Sequence, residues 1–272
     1  MRQFILRVLE KFHQDECALR AASLAYYGLF SIFPVVLFLI YMGSAVLETE
    51  EARLMLRSYL KEILPIGITH IEKIIDQTLA VRGSMGVISG ITLLWGGSAV
   101  FGGLESALNV IWNSSARPFL RRRLLAAISL LSIGVLFIAS FLIAPNVTWV
   151  LDGHTTILKI AIRLASELGL STFVAYLIFR VFPNREVKQV YALLGAFTSA
   201  LMMLVAQYVF RIYVSYAVAR YGYVYGSLAW IVALGLWVYL VVVMLFLGAE
   251  VGATLEEISE HDAGQPEQEN SI

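Results

Sequence analysis

The sequence predicts an all-α, polytopic membrane protein: a bundle of six transmembrane helices, with two short amphipathic helices between the first and second spans. Three observations carry this prediction. The first is composition: of 272 residues, 59% are hydrophobic and only 15% are charged, and mean hydropathy is +0.76. An ordinary soluble domain carries roughly 25% charged residues, so this chain has too little charge to cover a water-facing surface. The second is that the charges cluster and leave uncharged runs at 21–47, 83–104, 124–151, 189–210 and 221–249. Each is long enough for a helix across a hydrocarbon core of about 30 Å, which takes roughly 20 residues. The third is the placement of basic residues, which calls for a sixth crossing.

Short loops rich in Lys and Arg mark the cytoplasmic side. Arg2, Arg7, Lys11 and Arg20 precede the first span, at about 21–47. Arg117, Arg121, Arg122 and Arg123 follow the second, at about 85–111, and precede the third, at about 124–150. Arg185 and Lys188 sit between Pro183 and the span at 189–216. The third span leaves the chain outside near Asp152, so a further helix must cross before Arg185. The stretch 164–182 is the candidate, hidden from a charge-free scan by Glu167 and Arg180. The last two spans, 189–216 and 226–252, form a hairpin around Arg220, and both termini are expected in the cytoplasm.

Between the first two spans, residues about 50–82 carry apolar stripes at helical spacing. Ile71, Ile74, Ile75 and Leu79 make one, and Leu56, Leu60 and Ile63 make another before Pro65 and Gly67. They read as two outer amphipathic helices, either a cap packed over the bundle or interfacial helices at lipid headgroups. Their mixed charge favours the cap. Residues 1–254 thus form a single membrane domain. Residues 255–272, with six acids and no Lys or Arg from Glu256 on, read as a disordered acidic cytoplasmic tail.

Ionisable side chains within spans are costly and usually face the bundle interior or a water-filled cavity. Glu105, Glu250, Arg180 and Arg20 fall toward the cytoplasmic side and form a candidate polar cavity, with the two carboxylates opposite one or other arginine. They can equally be interhelical staples, with the arginines snorkelling to the interface. Arg163, Glu167, Gln207 and Arg211 make a candidate outer cluster, in which Arg163 and Glu167 are four apart and can pair along one helix face. The spacing of Gly86 with Gly90 and of Gly248 with Gly252 predicts close helix packing. Tyr213, Tyr216, Tyr221, Tyr223 and Tyr225 read as an interfacial aromatic belt.

Other chemistries are excluded or unsupported. Lys plus Arg and Asp plus Glu balance at twenty each, so charge points to no nucleic-acid partner. Cys17 alone can form no internal disulfide. Unbroken apolar runs exclude a β-barrel, whose strands alternate, and the first run exceeds a signal-peptide core. His13, His70, His154 and His261 lack metal-ligand spacing. The chain has no phosphate-binding glycine loop, and no catalytic cluster is evident. No catalytic residue, metal or cofactor is expected, and the chain is not expected to be an enzyme.

Four segments resemble the YihY/BrkB family of bacterial inner-membrane proteins. They are Arg20-Ala-Ala-Ser-Leu-Ala-Tyr-Tyr-Gly-Leu-Phe-Ser-Ile-Phe-Pro34, Glu105-Ser-Ala-Leu-Asn109-Val-Ile-Trp112, Phe182-Pro-Asn-Arg185, and Tyr225-Gly-Ser-Leu with Leu236-Trp-Val-Tyr239 and Leu247-Gly-Ala-Glu250. The similarity covers roughly residues 15–255. It implies six spans in a bacterial plasma membrane and no settled biochemical activity; the family's former ribonuclease BN label is regarded as mistaken. The expected function is transport or flipping of a lipid or amphipathic envelope molecule, with membrane lipids as partners. The alternative is a non-transporting scaffold for an envelope complex. Substrate identity and oligomeric state stay open.

Overall fold

A computed structural model of the chain describes residues 2–43, 99–115, 118, 156–225 and 227–263, with side chains over 2–31, 99–115, 118, 164–216 and 231–261. These residues are helical, with no strand among them. The helices are α1 (Arg2–Gln14), α2 (Cys17–Gly43), α3 (Ala99–Ile111), α4 (Thr156–Val181), α5 (Gln189–Tyr225) and α6 (Ser227–Ala263). Among the described residues three helices are long and apolar enough to cross a membrane: Leu164–Val181 in α4, Gln189–Tyr216 in α5 and Ile231–His261 in α6. The expected span at 124–150 and the amphipathic helices at 50–82 lie outside the described residues.

The chain divides into two compact units. One comprises Met1–Tyr26, Gly103–Pro118 and Ile157–Ile272; the other comprises Tyr27–Gly102 and Phe119–Thr156. In the second unit the described residues belong to α2, the first turn of α3 and Thr156 at the start of α4. There Ser31 Oγ donates to the Tyr27 carbonyl at 2.7 Å, one turn back along α2.

In the first unit, a corner joins α1 to α2. The Asp15 N–H donates to Lys11 O and the Glu16 N–H to His13 O, closing α1, while the Arg20 N–H donates to Glu16 O, opening α2. The chain reverses at Glu16, whose φ of 52° lies in the left-handed region. Helix α3 stops on a related device. Asn113 adopts φ 49°, the Ser114 N–H reaches Asn109 O at 2.7 Å, and the Asn113 N–H reaches Val110 O at 3.0 Å. This is a Schellman closure with asparagine where glycine usually sits. Pro183, which disfavours helix at the residue before it, stops α4. The segment 182–188 then turns the chain into α5.

Helices α5 and α6 pack along a seam of small residues. Ala192, Gly195, Ala196, Ser199 and Ala200 of α5 are buried, as are Gly248, Ala249, Gly252 and Ala253 of α6. A Cβ placed on Gly195 would stand 2.6 Å from Gly248 O, one on Gly248 2.5 Å from Gly195 O, and one on Gly252 2.8 Å from Tyr191 O. The two backbones therefore touch where side chains would otherwise hold them apart. Ser199 Oγ donates across the seam to Leu245 O at 3.3 Å. Toward the far end of α5, larger rings fill the widening gap, with Phe210 and Trp237 centroids 4.8 Å apart.

The opposite face of α5 carries its bulk. Leu193, Leu194, Phe197, Leu201, Val205, Tyr208, Val209 and Ile212 are exposed, as are Leu170, Phe173, Val174 and Leu177 of α4. Small residues inside and large apolar ones outside suit a chain solvated by lipid, where helices gain nothing hydrophobic by associating and rely on close packing.

Helix α6 also departs from the expected boundary. The sequence reading ended the ordered domain at 254, but α6 runs on to Ala263. The acids of 256–260 lie opposite cations brought from elsewhere in the chain: Glu256 meets Arg185, Glu257 meets Arg7 and Lys11, and Glu260 meets Lys188.

Candidate functional site

The polar groups of the first unit converge where α6 ends, α5 begins and α3 closes. The 182–188 turn is fastened to both neighbours. The buried Asn109 Oδ1 accepts from the Asn184 N–H at 2.7 Å and from Ser114 Oγ at 2.7 Å, so one amide oxygen holds the turn and the α3 terminus together. Arg185 Nη1 donates to Trp112 O at 3.2 Å, while its Nη2 lies 3.3 Å from Glu256 Oε2. Glu256 Oε1 accepts from the Lys188 N–H at 3.1 Å. This places a buried carboxylate at the head of α5, where the helix dipole favours negative charge. Beneath the turn, the Trp112 and Phe179 rings pack at 5.2 Å.

One helical turn before Ala253 on α6, Glu250 is fully buried and its Oε1 accepts from Cys17 Sγ at 3.4 Å. Its Oε2, Thr254 Oγ1 four residues on, Asn109 Nδ2 and Trp112 Nε1 are buried with no hydrogen-bond partner among the described residues. Glu105 is also buried, 2% exposed, on α3. Burial, and then the neighbouring Glu250 carboxylate, push the Cys17 thiol well above its ordinary value of 9.0. Cys17 lies four residues ahead of the apolar run 21–47.

Beside these groups is a cavity of about 160 Å³, lined by Lys11, Ile111, Trp112, Asn113, Arg185, Ala253, Glu256, Glu257 and Glu260. It is smaller than the roughly 300–1,000 Å³ typical of small-molecule pockets. Its walls set Lys11 of α1 and Arg185 of the 182–188 turn against Glu256, Glu257 and Glu260 of α6. Among the described residues no group of three or more His, Cys, Asp or Glu could hold a metal ion.

The four expected cavity residues divide by role. Glu105 and Glu250 are buried, but the two arginines serve backbone carbonyls. Arg20 Nε donates to Asp15 O at 2.9 Å and so finishes the α1–α2 corner. Arg180 is exposed, and its Nη1 donates to Val187 O at 2.6 Å, bracing the turn before α5. Free carbonyls at helix ends are strong acceptors that no side-chain pattern advertises. The outer candidates lie on two helices, Glu167 half-buried on α4, with Gln207 half-buried and Arg211 exposed one turn apart on α5. Arg163 lies on α4, with its side chain outside the described residues.

Sequence reasoning did not assign Lys11, Asn109, Trp112, Asn113, Arg185, Glu256, Glu257 or Glu260 to a site. A usable signal existed for Asn109, a lone amide within an apolar run whose side chain needs partners in a span. In the sequence Lys11 reads as a topology marker, and Arg185 as a topology marker and part of the Phe182–Arg185 segment.

Residues 8–272 match the family described as virulence factor BrkB. Among relatives named UPF0761 membrane protein, one from Prosthecochloris aestuarii is 27% identical over 92% of this chain and 60% of its own length. One from Cronobacter sakazakii is 28% identical, covering 90% of this chain and 86% of its own. One from Pseudoalteromonas atlantica is 25% identical, covering 93% and 86%. The chain thus spans about 60% of the length of the first of these relatives. No solved structure matches it.

Proposed function

The chain belongs to the virulence factor BrkB family, whose relatives are named membrane proteins, and from this premise we propose a six-span bacterial inner-membrane protein that moves a lipid or an amphipathic envelope molecule across the bilayer. The span count is supported by parity. Helix α2 leaves the polar end, since Cys17 at its start meets Glu250. Helices α3 and α4 both finish there, joined through Asn109 and Asn184. The uncharged run 124–151 is long enough for one further crossing between α3 and α4. Helices α5 and α6 add two more crossings, which brings the count to six with the runs 21–47 and 85–111. The basic residues Arg2, Arg7, Lys11, Arg185 and Lys188 gather at the polar end, which the positive-inside rule makes cytoplasmic. Both termini then face the cytoplasm.

The observation that carries transport is the buried carboxylate of Glu250, held by a thiol, in a helix otherwise apolar enough to span. Ionisable groups at such positions belong by default to substrate or ion pathways. The cavity one turn further along α6, at Ala253, is too small for a lipid, so the polar end serves as a wet inner mouth, and the acyl part of a substrate follows the exposed apolar flanks. The chain does no bond chemistry in this reading and takes no cofactor. The test is movement of labelled phospholipids by purified protein in liposomes. Wild-type protein should accelerate transbilayer exchange, and Glu250→Gln should slow it at least several-fold at equal folded protein. Exchange no faster than in protein-free liposomes overturns the proposal.

A non-transporting scaffold is the second reading, favoured by how firmly Asn109, Arg185 and Glu256 fasten three elements together. On that reading Glu250→Gln lowers the amount of folded protein without changing any exchange rate.

A further inference from the structure

Helix α1 faces two ways. Val8 is buried, and Arg7 and Lys11 turn toward Glu257 on α6. At 100° per residue, Ile5, Leu6 and Leu9 lie on the far side of the helix within an arc of about 100°. There they are 52%, 55% and 51% exposed. Three large aliphatic side chains with Arg2 at the N-terminal end of the same face form an exposed apolar stripe with a basic end, the composition of helices that lie in a membrane interface. We propose that α1 lies in the lipid interface at the polar end of the molecule, with Ile5, Leu6 and Leu9 inserted beside the acyl chains and Arg2 among anionic headgroups.

Two features select lipid as the occupant. Beyond the Glu16 corner Leu19 is likewise exposed, 63%, at the start of α2, which leads directly into the apolar run beginning at 21. The helix is therefore tethered within a few residues of the bilayer surface. Its outward charge also suits that surface: Arg2 is exposed on the same side as the stripe, and a cation there is attracted to an anionic leaflet. Lys11 and Arg7 are engaged by Glu257, so the α6 extension fixes which face of α1 turns outward.

The test uses full-length protein in vesicles of phosphatidylcholine and phosphatidylglycerol. Single cysteines are introduced by Leu6→Cys, Leu9→Cys and, on the opposite edge of α1, Gln14→Cys, and each is labelled with an environment-sensitive fluorophore. Cys17 is buried and stays unlabelled in the folded protein, which wild-type chain verifies. The expected result is strong quenching at positions 6 and 9 by lipids spin-labelled near the headgroup end of the acyl chain, weaker quenching by labels near the terminal methyl, and several-fold less of either at position 14. Insertion of about 5–10 Å gives that depth order. Equal access of aqueous iodide to positions 6 and 14 overturns the proposal. So does shielding of position 6 from both iodide and lipid labels, which would mean that a second copy or another protein covers the stripe.

Discussion

Glu256, 2% exposed on α6, accepts the backbone N–H of Lys188 at 3.1 Å and so closes the head of α5 from another helix. Its second oxygen lies 3.3 Å from Arg185. Glu256→Ala removes the acceptor and leaves the guanidinium without its carboxylate. A loss of about 1–3 kcal/mol is expected, read as a lower melting temperature in detergent. Glu256→Gln keeps an oxygen for the Lys188 N–H and should lose clearly less. Equal losses would assign the effect to charge alone.

The α5–α6 seam makes Gly248 intolerant of any side chain. A Cβ there meets Gly195 O at 2.5 Å and Ser199 Cβ at 2.8 Å, and a backbone carbonyl cannot swing aside. Gly248→Ala should destabilise by about 1–3 kcal/mol, and Gly248→Leu should prevent accumulation of folded protein. Adding Ser199→Ala to Gly248→Ala removes only the hydroxyl, so it should restore a fraction of the lost melting temperature. Full recovery would contradict contact with the carbonyl.

Glu16 holds a left-handed φ of 52° without being glycine, which costs roughly 1–2 kcal/mol for an L-residue. Glu16→Gly should therefore raise stability by up to about 1 kcal/mol after the entropy of the unfolded glycine is subtracted. Glu16→Val, branched at Cβ, should lower it. Chemical denaturation in mixed micelles distinguishes the two directions.

The Cys17 thiol is raised above its ordinary value by burial and by Glu250. A group whose pKa rises on folding adds stability below its unfolded value and loses it as pH climbs above that value. The stability difference between wild type and Cys17→Ala should thus shift against wild type as pH rises above about 8.5. A maleimide reagent should leave Cys17 unmodified at pH 7 until the chain is unfolded. Rapid labelling of native protein would contradict its burial.

Particular residues show what was legible in the sequence. Gly248 and Gly252 announced close packing through their four-residue spacing, and the structure supplies the partner in Gly195 and Ser199. That pair has the same spacing on α5, a signal open to the same reading. Glu105 and Glu250 stood out because an uncharged run makes each carboxylate conspicuous, and both are buried. The end of α6 was not legible, because 255–272 is acidic when read locally. The cations that neutralise Glu256, Glu257 and Glu260 lie 71 to 250 positions away in sequence. The hydrogen-bond partners of Arg20 and Arg180 are illegible for a related reason. Their partners are the carbonyls of Asp15 and Val187, which every residue possesses and no residue letter records.

The touching backbones of α5 and α6 also set how this pair tolerates changes in length. One residue inserted into α6 between Leu236 and Gly248 turns the following helix by about 100° and advances it 1.5 Å. That would carry Gly248 and Gly252 off the seam and bring Phe246 or Leu247 against the Gly195 carbonyl. An insertion of seven residues, close to two full turns, returns the glycines to the same side. The pair can be lengthened only in near-whole turns, so its register is fixed by the two main chains themselves.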